Sequence, residues 1–196
     1  MVKRITDHND PEHINISRYS NSTLGKKLSL GHKFTFNTII GKIGAIRNAM
    51  NAFSKLNYPD EFLSKTNFSS KDIERINKLP DLKIPNYWGA IAYIIMERVA
   101  QDTDLIKLFK NTPANVFFTS YKVISNKRFN TVTYKYDFYD DMDMYCEIIN
   151  DIHTMILNDT FVFENDIVKI NKFLTKYKNI PEVSILAKTK WINDQI

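Results

Sequence analysis

The sequence predicts an α+β fold: a mostly helical single domain with a small β-sheet or hairpins, followed by a helical C-terminal extension. Three observations lead there. Apolar residues recur at helical intervals in several windows. Short runs alternate apolar and polar positions or concentrate β-branched and aromatic residues. Glycine, proline and small polar residues separate the two kinds of segment. The chain has 196 residues, the size of one domain. Its 43% apolar content against 25% charged residues is enough to build a core.

Residues 1–13 read as a polar lead-in. Ile14 and Ile16 open an alternation through Tyr19 that predicts a strand, and Asn21-Ser22-Thr23 predicts a turn. After Gly31, Lys33-Phe34-Thr35-Phe36 alternates again as a second strand. Gly41 and Gly44 flank Ile43, and Ile46, Ala49, Met50 and Phe53 then fall at helical spacing, predicting a helix over 45–56. Ser69 or Ser70 caps a helix striped by Ile73, Ile76 and Leu79 and stopped by Pro80. The clearest helix spans 86–101, and Asp102 or Thr103 caps the next, Leu105 to Lys110. Val116 to Val123 and Thr131 to Tyr136 read as strands. Asp143 opens a helix with Met144, Ile148, Ile152 and Met155 on one face. Helices over 166–177 and 183–191 complete the expected order, giving a lead-in at 1–13, a domain at 14–158 and a helical extension at 159–196.

Charge and cysteine usage narrow the function classes. Lys+Arg 27 against Asp+Glu 22 gives +5, an excess that suits phosphates or another anion without demanding nucleic acid. A single cysteine, Cys146, excludes an internal disulfide framework and a cysteine-built zinc site. No run approaches the roughly 20 apolar residues that span a bilayer. Met1–Asp10 is polar, so the expectation is a cytoplasmic protein, in the host cell if phage-encoded, with no membrane partner.

Motifs for standard chemistry are missing. The histidines His8, His13, His32 and His153 lack metal-ligand spacing, and neither a phosphate loop nor a nucleophile elbow is present. No metal and no cofactor is expected. The acids Asp137, Asp140, Asp141, Asp143 and Glu147 gather ahead of a helix, where each favours the positive N-terminal end by about 0.3–1 kcal/mol. Cation binding or acid–base work is the alternative reading. Phe117, Phe118 and Tyr121 suit a core first and base stacking second. Between Ser17 and Arg47, hydroxyls, amides and cations (Ser20, Asn21, Lys26, Lys27, Ser29, His32, Arg47) accompany short strands and turns, a composition that suits ribose and phosphate.

Several landmarks occur in a familiar order. The opening I-N-I-S-R-Y-S-N-S-T-L-G-K-K-L-S, then K-F-T-F and G-K-I-G-A-I-R-N-A-M-N-A-F, resembles the start of the NADAR family, particularly its tailed-phage branch. Y-W-G-A-I-A-Y-I-I-M-E-R-V-A-Q-D-T-D-L-I-K-L-F-K-N-T is similar to that family's long helix and the short helix after it, and V-F-F-T-S-Y-K-V to its aromatic strand. The resemblance covers about 14–157 and implies a compact α+β fold that cleaves an N-glycosidic bond between ribose and a base-like nitrogen. Its substrates include ADP-ribosylated guanine in nucleic acid, and in phages the reaction reverses a host defence modification. On this resemblance the ligand-binding residues are Ser20, Asn21, Lys26, Ser29, Arg47, Trp88, Arg98 and Tyr121.

The chain departs from the family's pattern at informative places. Where a Ser-x-Glu start to the first helix is usual, Ala45-Ile46-Arg47 stands, so a cation replaces the expected carboxylate. Arg98 lies where lysine is usual, and Ser120 where histidine often is. No catalytic residue is therefore assigned. Three readings follow. The domain binds an ADP-ribose-like nucleotide or modified nucleic acid without the standard reaction; it remains an N-glycosidase through a relocated carboxylate; or it is an interaction module of a phage particle or host-takeover complex docking through its C-terminal helices. The first requires Arg47 and Arg98 to converge on one hollow with the Ser20–Ser29 segment.

Overall fold

The computed structural model describes residues 12–38, 40–84, 86–126, 131–136 and 140–161. Helices and strands are mixed, in the order β1 (His13–Asn15), α1 (Thr23–Leu28), β2 (Phe36–Thr38), β3 (Gly41–Ile43), α2 (Ile46–Ser54), α3 (Ser70–Asn77), α4 (Tyr87–Gln101), α5 (Thr103–Lys110), β4 (Phe117–Thr119), β5 (Tyr121–Asn126), β6 (Thr131–Tyr136) and α6 (Asp140–Leu157). The described residues divide into two compact units, one from 12–32 with 103–161, the other from 33–102. No helix among the described residues is long and apolar enough to cross a membrane.

The first unit is built on a parallel pair. β1 runs beside β4 with His13, Ile14 and Asn15 opposite Phe117, Phe118 and Thr119. The Phe117 N–H donates to the Glu12 carbonyl, and the Ile16 N–H to that of Thr119, both at 2.7 Å. Three-residue strands hold few ladder bonds, so the outer edge of β4 needs another partner. The Asn150 carboxamide of α6 provides it. The Phe118 N–H donates to Asn150 Oδ1 at 3.1 Å, and Asn150 Nδ2 donates to the Phe118 carbonyl at 3.3 Å. The same Nδ2 also donates to the Cys146 carbonyl one turn back, which fixes the rotamer.

Around that joint α6 buries Tyr145, Ile148, Ile149, Ile152 and Ile156, α5 buries Leu105 and Phe109, and α1 buries Leu24 and Leu28. The Tyr145 hydroxyl donates to the Leu28 carbonyl at 2.7 Å, closing the C-terminal end of α1. His153 sits in the same core. Its ring stacks on Phe109 at 5.7 Å, meets Phe118 edge-on at 5.3 Å, and donates from Nε2 to the Thr112 carbonyl at 3.1 Å. Burial holds its pKa below the ordinary 6.5, against the opposing pull of hydrogen bonds to the Thr112 and Phe109 carbonyls. Burial also pushes the Cys146 thiol up to about 12, with the Asp143 carboxylate adding to the effect, so this cysteine is unreactive.

The second unit begins with the β2–β3 hairpin, in which Phe36, Asn37 and Thr38 face Ile43, Lys42 and Gly41. Here too a side-chain carboxamide covers the outer edge. The Asn37 N–H donates to Gln101 Oε1 at 3.0 Å, and Gln101 Nε2 returns a bond to the Asn37 carbonyl at 2.7 Å. Gln101 Nε2 also reaches Glu97, whose other oxygen accepts from the Tyr93 hydroxyl, so a polar line runs along α4 at every fourth residue. α2 buries Ile46, Ala49, Met50 and Phe53 at the expected spacing. Its buried Asn48 donates to the carbonyls of Leu63 and Lys65 at 2.9 and 2.8 Å. Gly44 permits that approach: a Cβ there would lie 2.6 Å from the Ser64 carbonyl oxygen. α3 starts with a reciprocal capping box between Ser69 and Asp72, beside a small core of Ala52, Tyr58, Phe62 and Ile76.

Several expectations shift. The strand expected over 14–19 is only His13–Asn15, and residues 17–20 form a turn with the Ser20 N–H on the Ser17 carbonyl. The strand expected at Lys33–Phe36 starts at Phe36, because Phe34 makes a lone backbone bond to Gly44 instead of a ladder. The run Val116–Val123 is two strands that part at Ser120. α1 was not foreseen, since six residues carrying a glycine and two lysines show no readable period. α6 starts at Asp140 rather than Asp143, as acids stabilise a first helical turn. His13, placed in the lead-in, is a buried strand residue whose ring meets the Thr119 hydroxyl at 3.0 Å. The helices expected at 166–177 and 183–191 lie outside the described residues.

Two predictions follow from these joints. Asn150→Ala strips partners from the Phe118 N–H and carbonyl and should cost about 1–3 kcal/mol in urea unfolding, whereas Gln101→Ala, at an exposed site where water substitutes, should cost less. The unfolded chain takes up a proton on His153 near 6.5, while the folded unit resists it to lower pH. Its contribution is therefore complete above that value and lost as pH falls through the folded-state pKa. The melting temperature should drop between about pH 7.5 and about pH 5, less steeply in His153→Phe; equal slopes would assign the loss to other groups.

Candidate functional site

The anion-attracting feature of the second unit is the start of α2. Its N-cap is Ala45, which has no side chain able to accept a hydrogen bond, and no acidic residue occupies the first turn. A helix end of this kind carries partial positive charge. Arg47, the second helical residue, is exposed there. The sequence places a cation where a carboxylate would complement the dipole, so the local field attracts anions and disfavours a proton-transfer role.

Neighbouring segments add charge. The Asn48 amide ties the backbone of Leu63 and Lys65 beside this turn. Lys65 is itself neutralised by Asp72 at 2.7 Å. That ammonium, with the Ser69 N–H and hydroxyl, holds the Asp72 carboxyl down at about 2. Lys33 donates to the Asn67 side chain, and the next residue's N–H, on Phe34, donates to the Gly44 carbonyl.

Arg98 occupies the same unit but is buried, with 2% of its surface exposed. Its guanidinium lies over the Phe34 ring, 5.8 Å from the centroid. Phe34 thus links the two arginines: its ring lies below Arg98 and its N–H bonds to the Gly44 carbonyl, three residues before Arg47. The two differ in access, one facing solvent and the other enclosed. Trp88 sits in the first turn of α4, half-buried and edge-on to Tyr87 at 5.1 Å. It lies ten residues from Arg98 on one helix, about 15 Å along the axis. A single small ligand touching both would have to be extended.

The remaining sequence-predicted residues belong to the first unit. Ser20 is buried, its hydroxyl accepting from the Ser22 N–H at 3.2 Å. Gly25 fits against it so tightly that a Cβ would lie 2.4 Å from both Ser20 Oγ and the Asn15 carbonyl oxygen. Ser22, which sequence reasoning passed over, caps α1 by accepting from the Gly25 N–H. Ser29 is the buried C-cap of α1, and its N–H donates to the Lys26 carbonyl. These two hydroxyl residues shape the loop. Asn21 is half-buried and Lys26 exposed, so both are better placed to meet a ligand. Tyr121 opens β5 opposite Tyr136; its strand position is described and its side chain is not.

Phe118 is core, packed on Phe109 and His153, whereas its neighbour Phe117 is exposed. Of the acidic group, Asp137 lies outside the described residues, and Asp140, Asp141 and Asp143 fall in the first turn of α6. Among the described residues no three His, Cys, Asp or Glu side chains gather as metal ligands. Asn150 and Gln101 were also missed; the available signal was a single amide on an otherwise apolar helix face or end.

Compared with known proteins, the chain matches no family model, no curated protein and no solved structure.

Proposed function

We propose that this chain is a binding domain on a NADAR-like scaffold, taking an ADP-ribose-type nucleotide or modified nucleic acid in a phage accessory or counter-defence role, without the family's standard reaction. The observation that carries the reading is Arg47: an exposed guanidinium on an acid-free, uncapped helix start, at the position where the resemblance expects a carboxylate. A pyrophosphate would meet the guanidinium through paired N–H donors and the helix end through its partial charge. Trp88, half-buried in the same unit, provides an aromatic group of the kind that contacts a base.

Calorimetric titration with ADP-ribose and with NAD tests this. The wild-type chain should bind at least one of them below the millimolar range. Arg47→Glu should weaken binding by about 2 kcal/mol, some thirtyfold, and Arg47→Lys should fall between, having charge without the paired donors. Absence of binding, or equal affinity in Arg47→Glu, rejects the reading. Release of free ADP-ribose from ADP-ribosylated DNA would replace it with the glycosidase.

A further inference from the structure

The turn between β1 and α1 presents a charged aromatic pair that the core of the first unit does not use. The Arg18 guanidinium lies over the Tyr19 ring, 4.5 Å from its centroid. Both residues are exposed, Tyr19 by 59%, so the stacked pair faces solvent. The backbone beneath them is held in place. The Tyr19 N–H donates to Ser17 Oγ at 3.2 Å and the Ser20 N–H to the Ser17 carbonyl at 2.9 Å. The Ile16 N–H ties the start of the turn to the Thr119 carbonyl of β4. Ser20 packs against Gly25, where a Cβ would lie 2.9 Å from Ser20 Cβ, so Tyr19 and Lys26 flank one point of contact. Lys26 is exposed as well. Among the described residues no carboxylate pairs with Arg18 or Lys26, whereas Lys27 has Asp104 at 3.7 Å. From His13 to His32 the chain carries three Lys or Arg residues and no Asp or Glu, so the local field is positive.

We infer that this turn is a binding site for single-stranded nucleic acid: an unpaired base stacks on the Arg18–Tyr19 pair, and the Arg18 guanidinium and the Lys26 ammonium meet the neighbouring phosphates. Aromatic rings and guanidinium planes are the surfaces on which splayed bases stack, and phosphates met by cations release their own counterions. An acidic peptide would satisfy the charges but leave the ring without a flat partner. A duplex would satisfy them too, yet keeps its bases stacked on one another. Because the pair is already stacked and its turn hydrogen-bonded, binding has little order to impose. Every base has a π-face, so affinity should carry little sequence preference. Arg47 belongs to the other unit and has no part in this arrangement.

Fluorescence anisotropy of the full chain with a labelled mixed-sequence oligonucleotide, single-stranded and as a duplex, tests it. The single strand should bind at about 50 mM salt, more tightly than the duplex, and weaken steeply by about 200 mM. Tyr19→Ala should lower the affinity about tenfold, and Tyr19→Phe should retain it. Arg18→Glu with Lys26→Glu should lower it about tenfold or more and reduce the slope of log K against log salt by about 1.4. Should that pair fail to fold by circular dichroism, Arg18→Gln with Lys26→Gln reads the same loss. No binding of the single strand overturns the inference, as does unchanged affinity in Tyr19→Ala or in the charge-altered pair, or tighter binding of the duplex. Binding of polyglutamate, lost in the same variants while the oligonucleotide is ignored, overturns it in favour of an acidic protein surface. Arg47→Glu should bind the single strand as the wild type does, which separates this test from that of ADP-ribose. A loss in Arg47→Glu with none in the turn variants overturns it as well.

Discussion

Short strands survive in this protein because helix-borne carboxamides complete their edges. Asn150 binds both backbone groups of Phe118, and Gln101 both backbone groups of Asn37. A primary amide presents one donor and one acceptor side by side, the same pair that a neighbouring strand would offer. Each helix thereby acts as the missing strand while keeping its apolar residues for the core. The arrangement also removes a ready template for edge-to-edge association, which exposed strand edges otherwise provide. Both amides are anchored one turn back, Asn150 on the Cys146 carbonyl and Gln101 on Glu97, which holds each in the orientation that meets its strand.

The second unit puts two arginines to different uses. Arg98 is enclosed beside Phe34, where a guanidinium tolerates burial better than an ammonium because it is more weakly hydrated and can lie flat on a ring. Arg47 is held outward by the helix that begins at Ile46. Lysine at the first position would bring a more strongly hydrated charge into the enclosed site, and an acid at the second would invert the field at the helix end. The contrast with Lys65, whose charge is spent on Asp72, leaves Arg47 as the cation best placed to meet a solvent-borne anion at this turn.

Long amphipathic helices were legible in the sequence because their period repeats several times. α2, α4 and the capping serine of α3 fall where apolar spacing and turn chemistry put them. Three-residue strands hold too few alternations to set a boundary, and their partners are distant in the chain, so β1 and β4 came out too long. The site was legible in part. Arg47 stood out as a cation at a helix start, but Ser20 and Ser29 read as ligand groups when their hydroxyl and backbone bonds serve the loop around α1. A sequence gives no hint that a serine is already engaged, since that depends on Gly25 and Asn15 closing over it.

The pairing of β1 with β4 joins residues far apart in the chain, His13 lying opposite Phe117. Residues 33–102 form their own contacts within that span, so the first unit is discontinuous in sequence while this part of the second is continuous. During synthesis the inner segment can collapse as soon as α4 has emerged, whereas β1 and α1 must wait for β4 and α6 before their core exists. The order of translation thus builds the inserted part first and delays the parallel pair that depends on both flanks, leaving β1 open to capture by chaperones or by other nascent chains until β4 is made.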